Sequence, residues 1–243
     1  MVIDKGLSLA ETENLLEMSA AYIDFIKLTF GTTALYQAAV LDRKIKIASQ
    51  QGIPVYPGGT FFEIAHWQNN SERYFRKLGE LGFKWVEISD GTIDLAPDQR
   101  RRAIETAFKA GLMVITEVGK KNPARQPAET DLIATIKNDL EMGVSWVIIE
   151  ARESGQGIGI YDSQGGVVAE KLNRFKEGIP PEKVIWEAPL KKQQAKLINE
   201  FGPNVNLGNI PPAEIMALEA LRLGLRSDTW PYNSSPSVAP PGS

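Results

Sequence analysis

Residues 113–121, Met-Val-Ile-Thr-Glu-Val-Gly-Lys-Lys, decide the fold of this chain. An apolar, strand-like run delivers the carboxylate of Glu117, and a glycine and two lysines follow shortly after it. Three further segments repeat this arrangement of an apolar run that leads to an acidic residue: residues 85–91, 146–155 and 184–189. Strands that repeatedly present polar side chains at their carboxyl ends are typical of a (β/α)₈ barrel, which builds one active site from many loops.

Apolar runs of strand length alternate with longer amphipathic segments over the rest of the chain, as expected of successive βα units. Strands are predicted at Met1–Ile3, Tyr22–Leu28, Ile53–Tyr56, Trp85–Ile88, Met113–Glu117, Trp146–Glu150, Val184–Glu187 and Val205–Leu207. Helices are predicted at Ser8–Ala21, Thr33–Gln51, Ser71–Leu81, Asp98–Ala110, Glu129–Met142, Ala169–Lys176, Lys191–Phe201 and Pro212–Gly224.

These alternating elements predict an α/β protein with one domain, a (β/α)₈ TIM barrel over residues 1–230. An open doubly wound sheet is the alternative, but it usually carries a glycine-rich phosphate loop after its first strand, and the sequence has none there. Residues 231–243, rich in Pro and Ser, are predicted to form a disordered tail. The first strand is short, and we expect that an upstream extension of it would stabilise the barrel.

The composition excludes several classes of function. The 27 Lys and Arg against 30 Asp and Glu give a net charge of −3, which argues against a nucleic-acid partner. The absence of cysteine excludes disulfides, zinc–thiolate sites and thiol catalysis. No apolar stretch approaches the ~18 residues of a membrane span, so we expect a cytoplasmic protein without a membrane partner. A homo-oligomer of identical barrels is compatible with the sequence.

The segment after Glu117 carries the strongest chemical signal. Gly119 permits a tight turn that aims Lys120 and Lys121 towards the barrel axis. One lysine, partly desolvated or next to other cations, is expected to have a lowered pKa and to act as a general acid. The alternative is a solvated turn with two surface lysines.

The other strand ends offer acidic and anion-binding groups. Glu150 is followed by Arg152, whose guanidinium suits phosphate, carboxylate or sulfite, and by a loop with several glycines that could equally be a flexible connector. Glu87 and Asp90 flank the end of the fourth strand, where Asp90 could instead cap the next helix. The end of the seventh strand adds Glu187.

Two turns offer backbone amides and small polar groups. Gly59 and Thr60 follow the third strand. Asn206, Gly208 and Asn209 lie at the predicted end of the last strand, where barrels often hold a phosphate group. We expect these turns to contribute to the same rim as the acidic strand ends.

Seven of these motifs together resemble the phosphosulfolactate synthase family. They are Asp4–Leu7, Tyr56–Thr60, Glu87–Gly91, Thr116–Lys121, Glu150–Gly155, Glu187–Pro189 and Leu221–Thr229, so the resemblance covers nearly the whole chain. It implies a (β/α)₈ barrel that uses Mg²⁺ to add sulfite to phosphoenolpyruvate, giving 2-phospho-3-sulfolactate, in coenzyme M synthesis. Plant heat-stress-associated relatives share the motifs. A non-catalytic barrel that acts through protein partners, or addition or elimination on another enol phosphate, are therefore the alternatives.

The resemblance also implies roles for individual residues. Lys121 matches the expected acid and, with Glu117 and Arg152, forms the predicted catalytic set. The predicted Mg²⁺ ligands are Glu117 and Glu150, followed by Glu187 and Asp90. The residues predicted to bind phosphoenolpyruvate and sulfite are Lys27, Lys120, Gly59, Thr60, Asn206, Gly208 and Asn209.

Overall fold

The computed structural model describes residues 1–230, so the predicted tail at 231–243 lies outside the described residues. Within that range the strands are β1 Val2–Asp4, β2 Ile26–Leu28, β3 Val55–Pro57, β4 Trp85–Ile88, β5 Met113–Val118, β6 Trp146–Ile149, β7 Val184–Glu187 and β8 Leu207–Gly208. The α-helices are α1 Leu9–Ser19, α2 Ala38–Gln50, α3 Gly59–Trp67, α4 Ser71–Glu80, α5 Pro97–Lys109, α6 Glu129–Glu141, α7 Ala169–Gly178, α8 Lys191–Phe201 and α9 Ile215–Arg222.

All strand pairs are parallel and follow the order of the chain. β1 to β3 form one hydrogen-bonded sheet, and β4 to β8 form a second. The first strand also contacts the segment that follows β8, because Val2 forms a parallel bridge with Ile210, and the Ile3 amide donates to the Ile210 carbonyl at 3.1 Å. The predicted (β/α)₈ barrel is therefore confirmed. No helix among residues 1–230 is long and apolar enough to cross a bilayer.

The barrel interior changes from apolar to charged along the strands. Seven buried side chains pack together towards the amino-terminal ends of the strands: Met1, Phe25, Tyr56, Trp85, Ile115, Ile148 and Ile185. Because alternate residues of a strand share a face, the residue two positions later points inward one layer higher. For five of these positions that residue is charged and buried: Lys27, Glu87, Glu117, Glu150 and Glu187. The strand period thus places an ionic layer directly above an aromatic and aliphatic layer.

The structure corrects several predicted element boundaries. β2 begins at Ile26 instead of Tyr22, because Ala20–Tyr22 forms a 3₁₀ turn that ends the preceding helix. α2 begins at Ala38 instead of Thr33, after a second 3₁₀ turn at Thr32–Ala34. β8 begins at Leu207 instead of Val205.

The helix α3 was not predicted from the sequence. It follows β3 directly, and its first residues, Gly59 and Thr60, are weak helix formers. A tertiary contact with β4 fixes the start of this helix, because the Gly59 amide donates a hydrogen bond to Glu87.

A buried ion pair joins the outer helices to the end of β5. Arg100 on α5 donates from Nη2 to Asp139 Oδ2 on α6 at 2.6 Å and to the carbonyl of Glu117 at 3.2 Å. Arg100 and Asp139 are 6% and 2% exposed, so loss of the guanidinium would leave a buried carboxylate without its cation. The pair therefore stabilises the strand that carries Glu117.

Arg100→Met is expected to lower the free energy of unfolding by about 3–5 kcal/mol. The neighbouring Arg101→Met is the matched control, because Arg101 is exposed and its ion pair with Asp98 is worth at most about 1 kcal/mol. Urea denaturation followed by circular dichroism measures both. Equal losses in the two variants would show that the buried pair has no special weight.

Candidate active site

Lys27 lies at the centre of the ionic layer. Its ammonium is 2.9 Å from Glu87 Oε2, 3.0 Å from Glu117 Oε2 and 3.4 Å from Glu187 Oε1. Burial opposes the positive charge, but the three carboxylates outweigh burial and raise the pKa of Lys27 well above its ordinary value. Lys27 therefore stays protonated and neutralises part of the acidic cluster.

Backbone amides fix the orientation of the carboxylates. The amide of Gly59 donates to Glu87 Oε1 at 2.6 Å, and that of Ala151 donates to Glu187 Oε2 at 2.9 Å. The amide of Arg152 donates to Glu150 Oε1 at 2.6 Å. Among the described residues, the buried Glu150 Oε2 has no hydrogen-bond partner.

Three carboxylates converge into a site that fits a divalent cation. Glu117, Glu150 and Glu187 each offer one oxygen, and these oxygens lie within 4.8 Å of one another. Oxygen donors of this kind are the ligands that Mg²⁺ prefers. The unpartnered Oε2 of Glu150 is the kind of buried acceptor that such an ion would satisfy.

The pKa values of two of these groups move in opposite directions. Burial, reinforced by Glu117 and Glu187, raises the pKa of Glu150 well above its ordinary value. Burial acts in the same direction on Glu117, but Lys27 and then Lys121 outweigh it and lower the pKa of Glu117 to about 2. Glu117 is therefore ionised at neutral pH, and Glu150 is the more readily protonated of the two groups.

Lys121 faces the same cavity. Its ammonium donates a hydrogen bond to Thr60 Oγ1 at 2.7 Å. Burial would lower the pKa of Lys121, but Glu117, Glu150 and Glu63 raise it above the ordinary value. The expectation of a lowered lysine pKa is therefore wrong here, and Lys121 is a protonated donor at neutral pH.

The structure does not bring Lys120 and Asp90 to this cluster. The Lys120 ammonium donates to Asp90 Oδ2 at 2.8 Å and to the Ile93 carbonyl at 2.7 Å. Arg100 Nη1 donates to the other Asp90 oxygen at 3.3 Å. Both residues line a separate cavity of about 480 Å³ beside α5 and α6. Their charges are satisfied there, away from the predicted magnesium ligands.

Asn206 and Gly208 also differ from their predicted placement. Because β8 begins at Leu207, Asn206 precedes the strand, and its side-chain amide donates to the carbonyls of Glu182 and Val184 beside the start of β7. Gly208 lies in the barrel wall, where an added Cβ would be 2.6 Å from Met1 Cε. Neither residue borders the cavity that holds the carboxylates.

The remaining predicted residues share one cavity of about 510 Å³ at the carboxyl ends of the strands. They are Lys27, Gly59, Thr60, Glu117, Lys121, Glu150, Arg152, Glu187 and Asn209. Arg152 is an exposed residue with a left-handed backbone, φ 61°, and its carbonyl accepts a hydrogen bond from the Asn209 side chain at 3.5 Å. The cavity thus combines buried carboxylates with the exposed guanidinium of Arg152 and the buried side-chain amide of Asn209.

Two acidic residues of the site were not among the predicted ligands. Glu87 lies two residues after the inward Trp85, so the strand period could have identified it. Glu63 is buried on α3 and accepts hydrogen bonds from Ser89 Oγ and, at 2.9 Å, from the Thr92 amide. No sequence pattern indicated Glu63, because α3 itself was not predicted.

Solved structures share the fold. That of 3-hexulose-6-phosphate synthase from Salmonella typhimurium is similar with a TM-score of 0.60 and 12% sequence identity, covering 93% of this chain and 98% of that chain. An identity this low supports a common (β/α)₈ architecture and nothing about the reaction.

The relatives in sequence are much more similar. The phosphosulfolactate synthase of Methanothermobacter thermautotrophicus is 45% identical over 231 residues, which covers 94% of this chain and 90% of that protein. That of Methanocaldococcus jannaschii is 44% identical over 232 residues, with 95% and 92% coverage. The sequence model of the family described as (2R)-phospho-3-sulfolactate synthase (ComA) matches residues 1–228. The chain therefore belongs to the phosphosulfolactate synthase family and, like its relatives, is an enzyme.

Proposed function

We propose that this enzyme catalyses the Mg²⁺-dependent addition of sulfite to phosphoenolpyruvate, giving 2-phospho-3-sulfolactate. Membership of the phosphosulfolactate synthase family supports this reaction class. The observation that carries the proposal is the convergence of Glu117, Glu150 and Glu187 beside a protonated Lys121 in one cavity. That arrangement combines a cation site with a proton donor, the two functions that the addition needs.

The carboxylate cluster would hold the metal ion. Glu117, Glu150 and Glu187 supply the candidate ligands, and Lys27 holds Glu117 and Glu187 in place through its ammonium. When bound, Mg²⁺ supplies positive charge that stabilises the negative charge developing next to the substrate carboxylate. The buried site excludes much of the water that would screen this effect.

Lys121 supplies the proton in this proposal. The sulfur lone pair of sulfite forms a bond to the methylene carbon of phosphoenolpyruvate, and the electrons of the carbon–carbon double bond move towards the carbon that bears the phosphate. Lys121 donates its proton to that carbon and is reprotonated from solvent, which its partial exposure allows. The new C–S and C–H bonds are balanced by the carbon–carbon π bond and the Lys121 N–H bond, both of which are lost.

Arg152 and Asn209 are positioned to bind the anionic groups of the substrates. Both line the cavity that holds the carboxylates; Arg152 is exposed, and Asn209 is buried. A guanidinium forms paired hydrogen bonds with phosphate or sulfite oxygens, and a side-chain amide donates further ones. Arg152 and Asn209 would thus hold the phosphate or sulfite group in the cavity that Lys121 also lines.

We expect product formation from phosphoenolpyruvate and sulfite in Mg²⁺, loss of it in excess chelator and recovery when Mg²⁺ is restored. N-ethylmaleimide should have no effect, because the chain has no cysteine. Phosphorus NMR follows the conversion of phosphoenolpyruvate directly. Full activity in excess chelator would contradict the metal role, and a wild-type protein that never consumes both substrates would contradict the proposed reaction.

Glu150→Gln tests whether Glu150 is a metal ligand, by a binding measurement that does not depend on turnover. Calorimetry should show weakened Mg²⁺ binding to this variant, because the amide offers one neutral oxygen where the carboxylate offers charge. Glu105→Gln, an exposed substitution on α5, is the matched control and should bind Mg²⁺ as the wild type does. Equal binding by both variants would exclude Glu150 as a ligand.

A further inference from the structure

The side chain of Lys121 is confined at both ends. Its backbone amide donates to the carbonyl of Gly91 at 2.9 Å, and its ammonium donates to Thr60 Oγ1 at 2.7 Å. Its stem passes close to Gly91, where an added Cβ would be 3.2 Å from Lys121 Cε and 3.3 Å from Cγ. Free lysine side chains sample many rotamers, so this confinement selects one position for the ammonium.

Thr60 is itself held rigidly. It lies in the first turn of α3, next to Gly59, whose amide is bound by Glu87 Oε1 at 2.6 Å. A Cβ at Gly59 would lie 2.3 Å from Ser89 Oγ, so the helix start packs directly against the end of β4. One turn later, Glu63 accepts hydrogen bonds from Ser89 and Thr92. Thr60 Oγ1 is therefore a fixed acceptor.

The hydrogen bond to Thr60 keeps the Lys121 ammonium away from the carboxylates that attract it. Glu117 and Glu150 attract the Lys121 ammonium, yet no ion pair within residues 1–230 includes Lys121. Its hydrogen bond to Thr60 holds the ammonium beside the carboxylates instead of in contact with them. An ammonium released from Thr60 would move onto the carboxylates, where it would compete with a metal ion and turn away from the substrate carbon.

We propose that Thr60 and Gly91 are positioning residues that set the direction from which Lys121 donates its proton. This inference rests on the proposed function, in which Lys121 is the acid. Thr60 acts through the lysine, whereas the sequence suggested direct substrate binding by Thr60. Displacement of a reacting group by about 1 Å can cost about 10²-fold in rate, which gives the scale of the expected effect.

The kinetic test compares Thr60→Val, which removes the hydroxyl at nearly constant volume, with Thr60→Ser, which retains it. Thr60→Val is expected to lower kcat by about 10- to 100-fold while KM for phosphoenolpyruvate changes less than about threefold, and Thr60→Ser should recover most of kcat. Thr106→Val on α5, which loses a hydroxyl bonded to the Arg102 carbonyl, is the control and should retain the wild-type kcat. Gly91→Ala should also lower kcat, because the new methyl group displaces the Lys121 stem.

A second readout does not depend on turnover. In protein labelled with ¹⁵N-lysine, the NH₃⁺ signal of Lys121 is assigned by its loss in Lys121→Arg, and slow proton exchange keeps it visible while the hydrogen bond persists. Thr60→Val should remove or shift that signal, and Thr60→Ser should retain it. An unchanged signal and unchanged kcat in Thr60→Val would overturn the inference, as would a raised KM with normal kcat. If the wild type does not turn over the substrates, the proposed function fails and the NMR result still decides the positioning claim.

Discussion

Lys121→Ala is expected to lower kcat by about 10²–10⁴-fold, while phosphoenolpyruvate binding measured by calorimetry changes little. The structure gives two reasons. Neighbouring carboxylates raise the pKa of Lys121, so that the group is protonated at neutral pH, and Thr60 holds its ammonium inside the cavity. A proton donor that acts after substrate binding affects the chemical step more than the affinity.

Lys120→Ala is the matched control for this variant. Lys120 is adjacent in sequence, but its ammonium binds Asp90 and the Ile93 carbonyl outside the cavity. Lys120→Ala should therefore lower the free energy of unfolding, while the kcat of the folded molecules stays near that of the wild type. If Lys120→Ala is inactive and Lys121→Ala has normal activity, the general acid is Lys120 and not Lys121. Activity in both variants would assign the proton to another group, such as Glu150.

Lys27→Met is expected to lower the free energy of unfolding by about 3–5 kcal/mol, because it leaves buried carboxylates without their cation. The loss should also depend on pH. The pKa of Glu87 is raised to about 7, since burial outweighs Lys27, and removal of Lys27 would raise it further. A carboxyl group with a raised folded pKa stabilises the protein below its unfolded value of 4.5, and this contribution is lost as pH rises through the folded pKa.

The difference between Lys27→Met and the wild type should therefore grow from about pH 5 to about pH 8. Urea denaturation at both pH values measures it. Lys46→Met on α2 is the control, because the exposed pair of Lys46 with Asp42 is worth at most about 1 kcal/mol. A pH-independent loss, or one no larger than that of Lys46→Met, would show that Lys27 does not hold the cluster together.

The sequence predicted the barrel because strand periodicity is local. The apolar runs that end at Glu117, Glu150 and Glu187 were identified within about a residue of the observed strands, and the same period brings the three carboxylates to one layer. The resemblance to a known family pointed to Lys121 at the same rim. What the three carboxylates have in common is that their direction follows from their own strand, whereas the direction of Lys121 is set by Thr60 and Gly91.

Residues placed by distant partners could not be predicted in this way. Glu87 lies in β4 and Asp90 follows that strand by two residues, but Asp90 binds Arg100 and Lys120, which lie on other elements. Likewise, the first turn of α3 depends on the contact of Gly59 with Glu87. Such contacts depend on how whole elements pack, which local propensity does not describe.

The lysine at the centre of the acidic cluster has a consequence for how the enzyme is made. Because Lys27 is part of the polypeptide, its positive charge is present as soon as the chain is synthesised. It neutralises part of the negative charge of four buried carboxylates. A nascent barrel can therefore close without another cation to balance the whole of that charge. Under the function we propose, Mg²⁺ would then bind later, to a barrel that is already folded.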